Sequence, residues 1–225
     1  IPREAMRLVG DIDSPRLMTI RTHRDETGRM QSWSAKRITE LENENLNGFV
    51  FKSGSPSSGM ERVKVYPRHD ASPVKKGSGL FARAFMKFFP LLPVEDDGRL
   101  HDPMLRENFI ERIFVYRRWK DFVNTDGTPK GLIAFHSAHK LLIMSHNPAA
   151  LRVLGNIVAH QKEMTLEELF ANYISILMPA LTLRATVKKN VNVLQHCMGH
   201  FKKMLTRDEK KELGDIIEAY HRNLI

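Results

Sequence analysis

The run NTDGTPKG, residues 124–131, constrains this chain more than any other feature. Two glycines, a proline and several small polar side chains follow one another there, and neither a helix nor a strand passes easily through such breakers. The sequence on its two sides is also written in different patterns. Upstream, short apolar runs alternate with helical spacings. Downstream, only helical spacings occur. The expected organisation is therefore an α/β domain over residues 1–125 and an all-α domain over residues 126–225.

In the first part, MRLV (Met6–Val9) and RLMTI (Arg16–Ile20) read as strands around the turn DIDSP. Met30, Trp33, Ile38 and Leu41 recur at helical spacing between Gly28 and Leu46, and Asn47–Gly48 supplies a stop. Phe49–Phe51 and Arg62–Tyr66 read as strands. Ser78 is placed to cap a helix with Leu80, Phe81, Ala84, Phe85, Phe88 and Phe89 on its apolar face. Pro90 ends that helix, and Leu91–Glu95 reads as a buried strand. Asp102 and Pro103 then open a helix as N-cap and first residue. Strand–helix alternation predicts an α/β, Rossmann-like layered sheet. The chain opens on IPRE without Met and stops at YHRNLI inside a helical pattern. The expectation is a domain truncated at its start and a fragment trimmed at both ends.

Beyond the breakers, Leu132, Phe135, His139, Leu142 and Ile143 share a helical face. Asn147–Pro148 opens the next helix, and Pro179 is expected to interrupt the one after it. Thr165 with Glu168 and Thr206 with Glu209 form capping boxes. Val187, Val191, Leu194, Met198 and Phe201 make a long stripe. About five helices are expected.

Composition narrows the function classes. Cys197 is the one cysteine. It excludes an internal disulfide, excludes a zinc or iron–sulfur site built from several cysteines of this chain, and is usual for a reducing compartment, here read as cytoplasmic. No apolar run approaches the ~20 residues needed to cross a bilayer, so no membrane partner is expected. The net charge of +9 is spread over both halves. It suits a nucleotide or RNA partner, or simply a well-solvated basic surface.

The stretch FKSGSPSSGMERVKVY, residues 51–66, carries the chemistry. It follows a strand, where open α/β sheets place their ligands. Gly54 and Gly59 permit close backbone approach, and Ser55, Ser57 and Ser58 offer hydroxyls and flanking N–H groups that can form an anion-holding nest. Lys52, Arg62 and Lys64 add charge and are the candidate substrate- or anion-binding residues. The run lacks the Gly-Lys-Ser/Thr of a P-loop and the spacing of a dinucleotide loop, and a serine-rich connection without a ligand is the plain alternative. PVKKGSGLFARAF, residues 73–85, is a second glycine-rich entry to a helix, whose N-terminal amides either face an anion or are ordinarily capped.

IPRE, MRLVG, RHDASPVKKGSGLFA, PLLPVEDDGRLHDPMLRENFIERIFVYRRW and above all KSGSPSSGMERVKVY resemble the bacterial thiouracil desulfidase family. GLIAFHSAHKLLIMSHNPAALRVLGNIVA and ATVKKNVNVLQHCMGHFKKMLTRDEKKEL resemble the YbgA family, and the two domains are often fused in this order. The resemblance implies a four-iron four-sulfur cluster on three cysteines. The iron without a protein ligand takes sulfur from a thiolated pyrimidine, 2-thiouracil or a thiolated nucleotide, and water replaces it at carbon. It also implies that two of the cysteines, one of them in a CPE motif with its glutamate, lie ahead of the IPR segment, and that the third belongs to SPSCG. Here that motif reads SPSSG, which puts Ser58 at the cluster position with Gly59 beside it. Ser55 and Ser57 match the family's serines and are the candidate catalytic residues. An alkoxide is harder and more basic than a thiolate, so the cluster is expected to be weaker or absent. The alternative is a non-catalytic nucleotide- or RNA-binding or partner-docking protein that kept the fold.

His136 and His139, and His196 and His200, stand at spacings that bring each pair to one helical face, within reach of one metal. Core or capping histidines are the other reading. The pairs Lys188–Lys189, Lys202–Lys203 and Lys210–Lys211 can meet nucleic acid or line solvated faces.

Overall fold

The computed structural model describes residues 4–225. Its contacts divide the chain into a first unit ending at Phe114 and a second spanning Val115–Ile225.

The first unit is α/β. Strands β1 (Met6–Val9) and β2 (Arg16–Thr19) pair antiparallel, with Leu8 opposite Leu17. Helix α1 (Thr27–Glu42) follows, then β3 (Phe49–Phe51), β4 (Val63–Tyr66), β5 (Val74–Gly77), α2 (Leu80–Phe88), β6 (Val94–Asp96) and α3 (Pro103–Asp126). The strands form two sheets. One is a mixed sheet in the order β2-β1-β4-β5, with β1 and β4 parallel. The other is the parallel pair β3-β6.

Leu8, Leu17, Val63 and Val65 are buried on one face of the larger sheet. The period-2 alternation of VKVY puts Val63 and Val65 inward and Lys64 outward. A second core is aromatic. Phe85 is fully buried, and its ring lies 4.4 Å from Phe49, 5.5 Å from Phe51, 5.7 Å from Phe81 and 4.8 Å from Phe89. This is the apolar face expected of FARAFMKFF, closed against β3, except that Phe88, expected on that face, is 47% exposed.

Strand β5 was not expected. Its residues VKKG are exposed except for Gly77. An edge strand kept polar by lysines shows no apolar alternation to read. The α1 helix ends at Glu42, short of the expected stop, and Asn45 takes the left-handed turn at φ 49°. Asp102 caps α3 as expected, its carboxylate accepting from the Met104 amide at 2.8 Å.

The second unit contains the end of α3 and five further helices: α4 (Pro129–His146), α5 (Pro148–Ala159), α6 (Leu166–Leu181), α7 (Val187–Phe201) and α8 (Arg207–His221). The division at Phe114/Val115 lies inside α3, and the breaker run interrupts helix only briefly before Pro129. Trp119 and Phe122 pack with Phe135, Phe170 and Tyr173, and Trp119 stacks on Tyr173 at 5.4 Å and 7°. Both capping boxes form with their full reciprocal hydrogen bonds. Pro179 does not interrupt α6. It sits in the last turn, and the helix continues to Leu181. The α7 stripe is only partly used: Val191 is buried, whereas Leu194 and Phe201 are exposed.

Candidate functional site

The serine loop is held by hydrogen bonds that no ligand supplies. Ser55 Oγ accepts from the amides of Ser57 (3.3 Å) and Ser58 (3.1 Å), and Ser55 O accepts from Gly59 N at 2.8 Å. This is the geometry of a helix N-cap applied to a single turn. The amides read as a possible anion nest are therefore used inside the loop. The hydroxyls of Ser55 and Ser57 are also hydrogen-bonded to each other at 3.1 Å.

The second glycine-rich segment turns out to be the loop's support. Gly79, not Ser78, is the N-cap of α2. The first amides of α2 point at loop carbonyls: Leu80 N donates to Pro56 O at 3.3 Å, and Phe81 N donates to Ser57 O at 2.9 Å. Gly79 N donates to Gly59 O at 2.8 Å. The donors of a helix start are normally left over, and here they dock the loop rather than an anion. A Cβ on Gly79 would collide with the Ser57 carbonyl, and one on Gly59 would stand 2.7 Å from Ser55 O. These contacts, not turn geometry, require the glycines.

The two ends of the loop line different cavities. Ser57 and Ser58 line a cavity of about 640 Å³ with β1, β2, α1 and α2. Its apolar part includes Met6, Leu17, Met30, Trp33 and Phe81, and its polar part includes Glu4, Arg24, Glu26 and Arg29. Seven polar and five apolar side chains share the wall, so the cavity offers an apolar surface together with hydrogen-bonding groups, as a small-molecule site requires. Glu4 Oε1 accepts from the amides of Arg21 and Thr22, both at 2.8 Å. The Thr22 amide foremost holds its carboxyl below the usual carboxylate range, so Glu4 is an ionised acceptor at neutral pH and not a proton donor. Glu26 is paired with Arg24 at 2.5 Å. The Ser58 hydroxyl has no hydrogen-bond partner among the described residues.

Ser53 and Gly54, at the other end, line a cavity of about 480 Å³ with Glu61, Arg62, Lys64, Lys75, Asp96, Gly98 and Arg99. It lies where β3 and β6 end, and their register places Phe51 beside Asp96. That is the carboxyl end of a parallel pair, the position expected for a ligand. Its cations are unusual. Lys64 stands directly opposite Lys75 across β4 and β5, an arrangement that costs stability unless something neutralises it. Arg62 adopts φ 55°. Arg99 is already engaged, by Glu95 at 2.7 Å and Glu61 at 2.6 Å, and the Glu95 bond foremost raises its pKa. The residues read from sequence are thus divided. Ser57 and Ser58 belong to the first cavity and Arg62 and Lys64 to the second. Ser55 braces the turn between them, Gly59 packs beneath it, and exposed Lys52 lines neither. The sequence assigns no site role to Trp33, Glu26, Arg29, Lys75 or Arg99, because their positions converge only through strand pairing and helix packing.

Residues 1–97 match the family described as 2-thiouracil desulfurase. Residues 140–225 match a family described as a protein of unknown function, DUF1722. The chain carries a 2-thiouracil desulfurase domain followed by a DUF1722 domain. The uncharacterized protein YbgA of Escherichia coli (strain K12) is 30% identical over 113 residues, which cover 49% of this chain. They span 66% of YbgA, just under two thirds of its length. No solved structure matches the chain. The first cavity and the whole serine loop fall inside the desulfurase match, and the second cavity does so except for Gly98 and Arg99.

The donors among the described residues of the desulfurase match do not fit an iron–sulfur cluster by themselves. Position 58 offers a hydroxyl, and Cys197 belongs to the second unit. Among the described residues, no three His, Cys, Asp or Glu side chains converge to hold a metal. A hydroxyl must lose a strongly held proton to bind iron, and it then binds as a hard donor.

His136 and His139 of the second unit serve packing. His139 is buried, and its Nδ1 lies 2.7 Å from Phe135 O. His136 Nδ1 lies 3.0 Å from the Tyr173 hydroxyl. Burial lowers the pKa of both imidazoles and raises that of Tyr173. His196 and His200 lie on an exposed face of α7. Of the paired lysines, Lys189 is tied by its ammonium to His146 O at 2.6 Å. Lys188, Lys202, Lys203, Lys210 and Lys211 are exposed. Among the described residues no helix is long and apolar enough to cross a membrane.

Proposed function

We propose that the first unit takes a thiolated pyrimidine, 2-thiouracil or its nucleotide, into the cavity beside Ser57 and Ser58. The carrying observation is that the segment matching the desulfurase family builds a cavity of about 640 Å³ whose wall includes the SPSSG motif. The thioethers of Met6 and Met30 in that wall are polarisable and suit a thiocarbonyl. Ser57, bonded to Ser55, can orient the substrate's ring nitrogens and oxygen. The parallel pairs β1–β4 and β3–β6 support a Rossmann-like reading of the unit. Sulfur removal in the family's manner requires thiolate ligands for iron. With serine at position 58, the chain is read as binding the thiopyrimidine without releasing its sulfur.

The full chain is expected to bind 2-thiouracil by calorimetry and to release no sulfide above a protein-free control under anaerobic conditions. In Ser58→Cys, the new thiol is expected to react with iodoacetamide and to be protected by saturating 2-thiouracil, while labelling of Cys197 is unchanged. A wild-type chain that shows no binding, together with an unprotected thiol, would sink the reading. Sulfide release by the wild-type chain would instead show that Ser58 does not block the reaction.

The Lys64–Lys75 pair favours a second reading, in which an anionic group such as a nucleotide phosphate or an RNA strand occupies the cavity of Arg62 and Lys64. Uridine monophosphate is then expected to bind more tightly than uracil. Added salt should weaken the preference, and Lys64→Ala should remove it. Equal binding of the two ligands in low salt argues against an anion in that cavity.

A further inference from the structure

Helix α1 carries an apolar stripe, and one member of it is left over. Ile38 and Leu41 are buried at 5% and 6% exposure, whereas Trp33 on the same stripe is 52% exposed. Tryptophan is normally among the more buried side chains. Here it forms part of the wall of the 640 Å³ cavity. Its one ring neighbour among the described residues is Phe81, with centroids 5.4 Å apart and planes tilted by 58°. A tilted neighbour braces the indole without stacking on it, so a π face stays open. Phe81 is itself buried and is anchored through its amide to Ser57 O, so the same residue that positions the indole also touches the serine turn.

We propose that Trp33 is the stacking platform for the pyrimidine ring, a substrate-positioning role that rests on the thiopyrimidine reading above. A flat heteroaromatic ring lies on the indole face, and its polar edge meets Ser57 and Ser58. Stacking recognises the π face and not the substituents. Trp33 therefore contributes equally to 2-thiouracil and uracil, and discrimination for sulfur comes from other parts of the wall. The cavity holds one ring in register before any chemistry, which is how binding of the unreactive part of a substrate serves orientation.

The test uses the full chain as wild type, Trp33→Leu and Trp33→Phe. Leucine keeps apolar volume but removes the π face, and phenylalanine keeps a smaller one. The sequence has two tryptophans, and the second, Trp119, is buried in the other unit. Saturating uracil is expected to change Trp33 emission in the wild type and to leave the emission of Trp33→Leu unchanged. By calorimetry, Trp33→Leu is expected to weaken 2-thiouracil and uracil by the same factor, at least about fivefold, and Trp33→Phe to restore most of the loss. Calorimetric binding with unchanged wild-type emission, or a Trp33→Leu protein that binds as the wild type does, overturns the platform and leaves the thiopyrimidine reading standing. Failure of the wild type to bind either ligand overturns both.

Discussion

Phe85→Ala is expected to destabilise the first unit by about 3–5 kcal/mol, the usual range for removing a fully buried phenylalanine. Phe85 is the hub of the aromatic core, within 6 Å of Phe49, Phe51, Phe81 and Phe89. Deleting its ring leaves a hole between α2 and β3 that four other rings cannot all move to fill, because each is fixed by its own element. Against a total stability of about 5–15 kcal/mol for a domain, the loss is a large fraction. Urea unfolding followed by near-ultraviolet dichroism measures it. A shift in midpoint equivalent to less than about 1 kcal/mol would mean that the ring cluster does not hold the unit together. Because Phe85 lines neither cavity, ligand affinity in the fraction that remains folded should stay near the wild-type value.

Gly79→Ala separates stability from site geometry in the opposite sense. The backbone at Gly79 has φ −62° and ψ 149°, torsions any residue adopts, so alanine meets no conformational penalty. The obstacle is a Cβ driven into the Ser57 carbonyl and 2.7 Å from Ser58 N. Both are backbone atoms and neither can rotate away. Relief requires the loop to part from α2, with loss or lengthening of the bond from Phe81 N to Ser57 O. Overpacking of this kind costs about 1–3 kcal/mol. The larger expected effect is on 2-thiouracil binding, since Ser57 and Ser58 move with the loop. Calorimetry and urea unfolding on the same protein distinguish the two effects. Wild-type affinity in Gly79→Ala would show that the serine turn is not part of the binding wall.

The contrast between these residues shows how much of the molecule was legible in advance. The caps at Asp102, Asn147, Thr165 and Thr206 were readable because each depends on hydrogen bonds no more than three residues away. The aromatic face of α2 was readable because it repeats at helical spacing. Pro179 does not break α6 as expected, because the loss of one backbone donor is tolerable where the helix is about to end anyway. Strand β5 was invisible because its side chains face water and show no period. The hydroxyls of Ser55, Ser57 and Ser58 mark a loop of unusual composition, yet the amides expected to form a nest are already bonded to Ser55 Oγ. Trp33 looked like one more stripe residue, and its exposure depends on where β2 and the serine turn stand.

By itself the sequence determined the change of pattern at residues 124–131, the starts of α3, α5, α6 and α8, the inward face of VKVY and the hydroxyl at position 58. Each is a matter of local periodicity, capping chemistry or residue identity. Only the tertiary structure decided that Gly79 supports the serine turn, that the turn's two ends face separate cavities, and that Lys64 lies opposite Lys75. The same is true of the open face of Trp33. All of these rest on contacts between segments far apart in the chain, whose geometry is set by strand register and helix packing and leaves no periodic mark in the sequence.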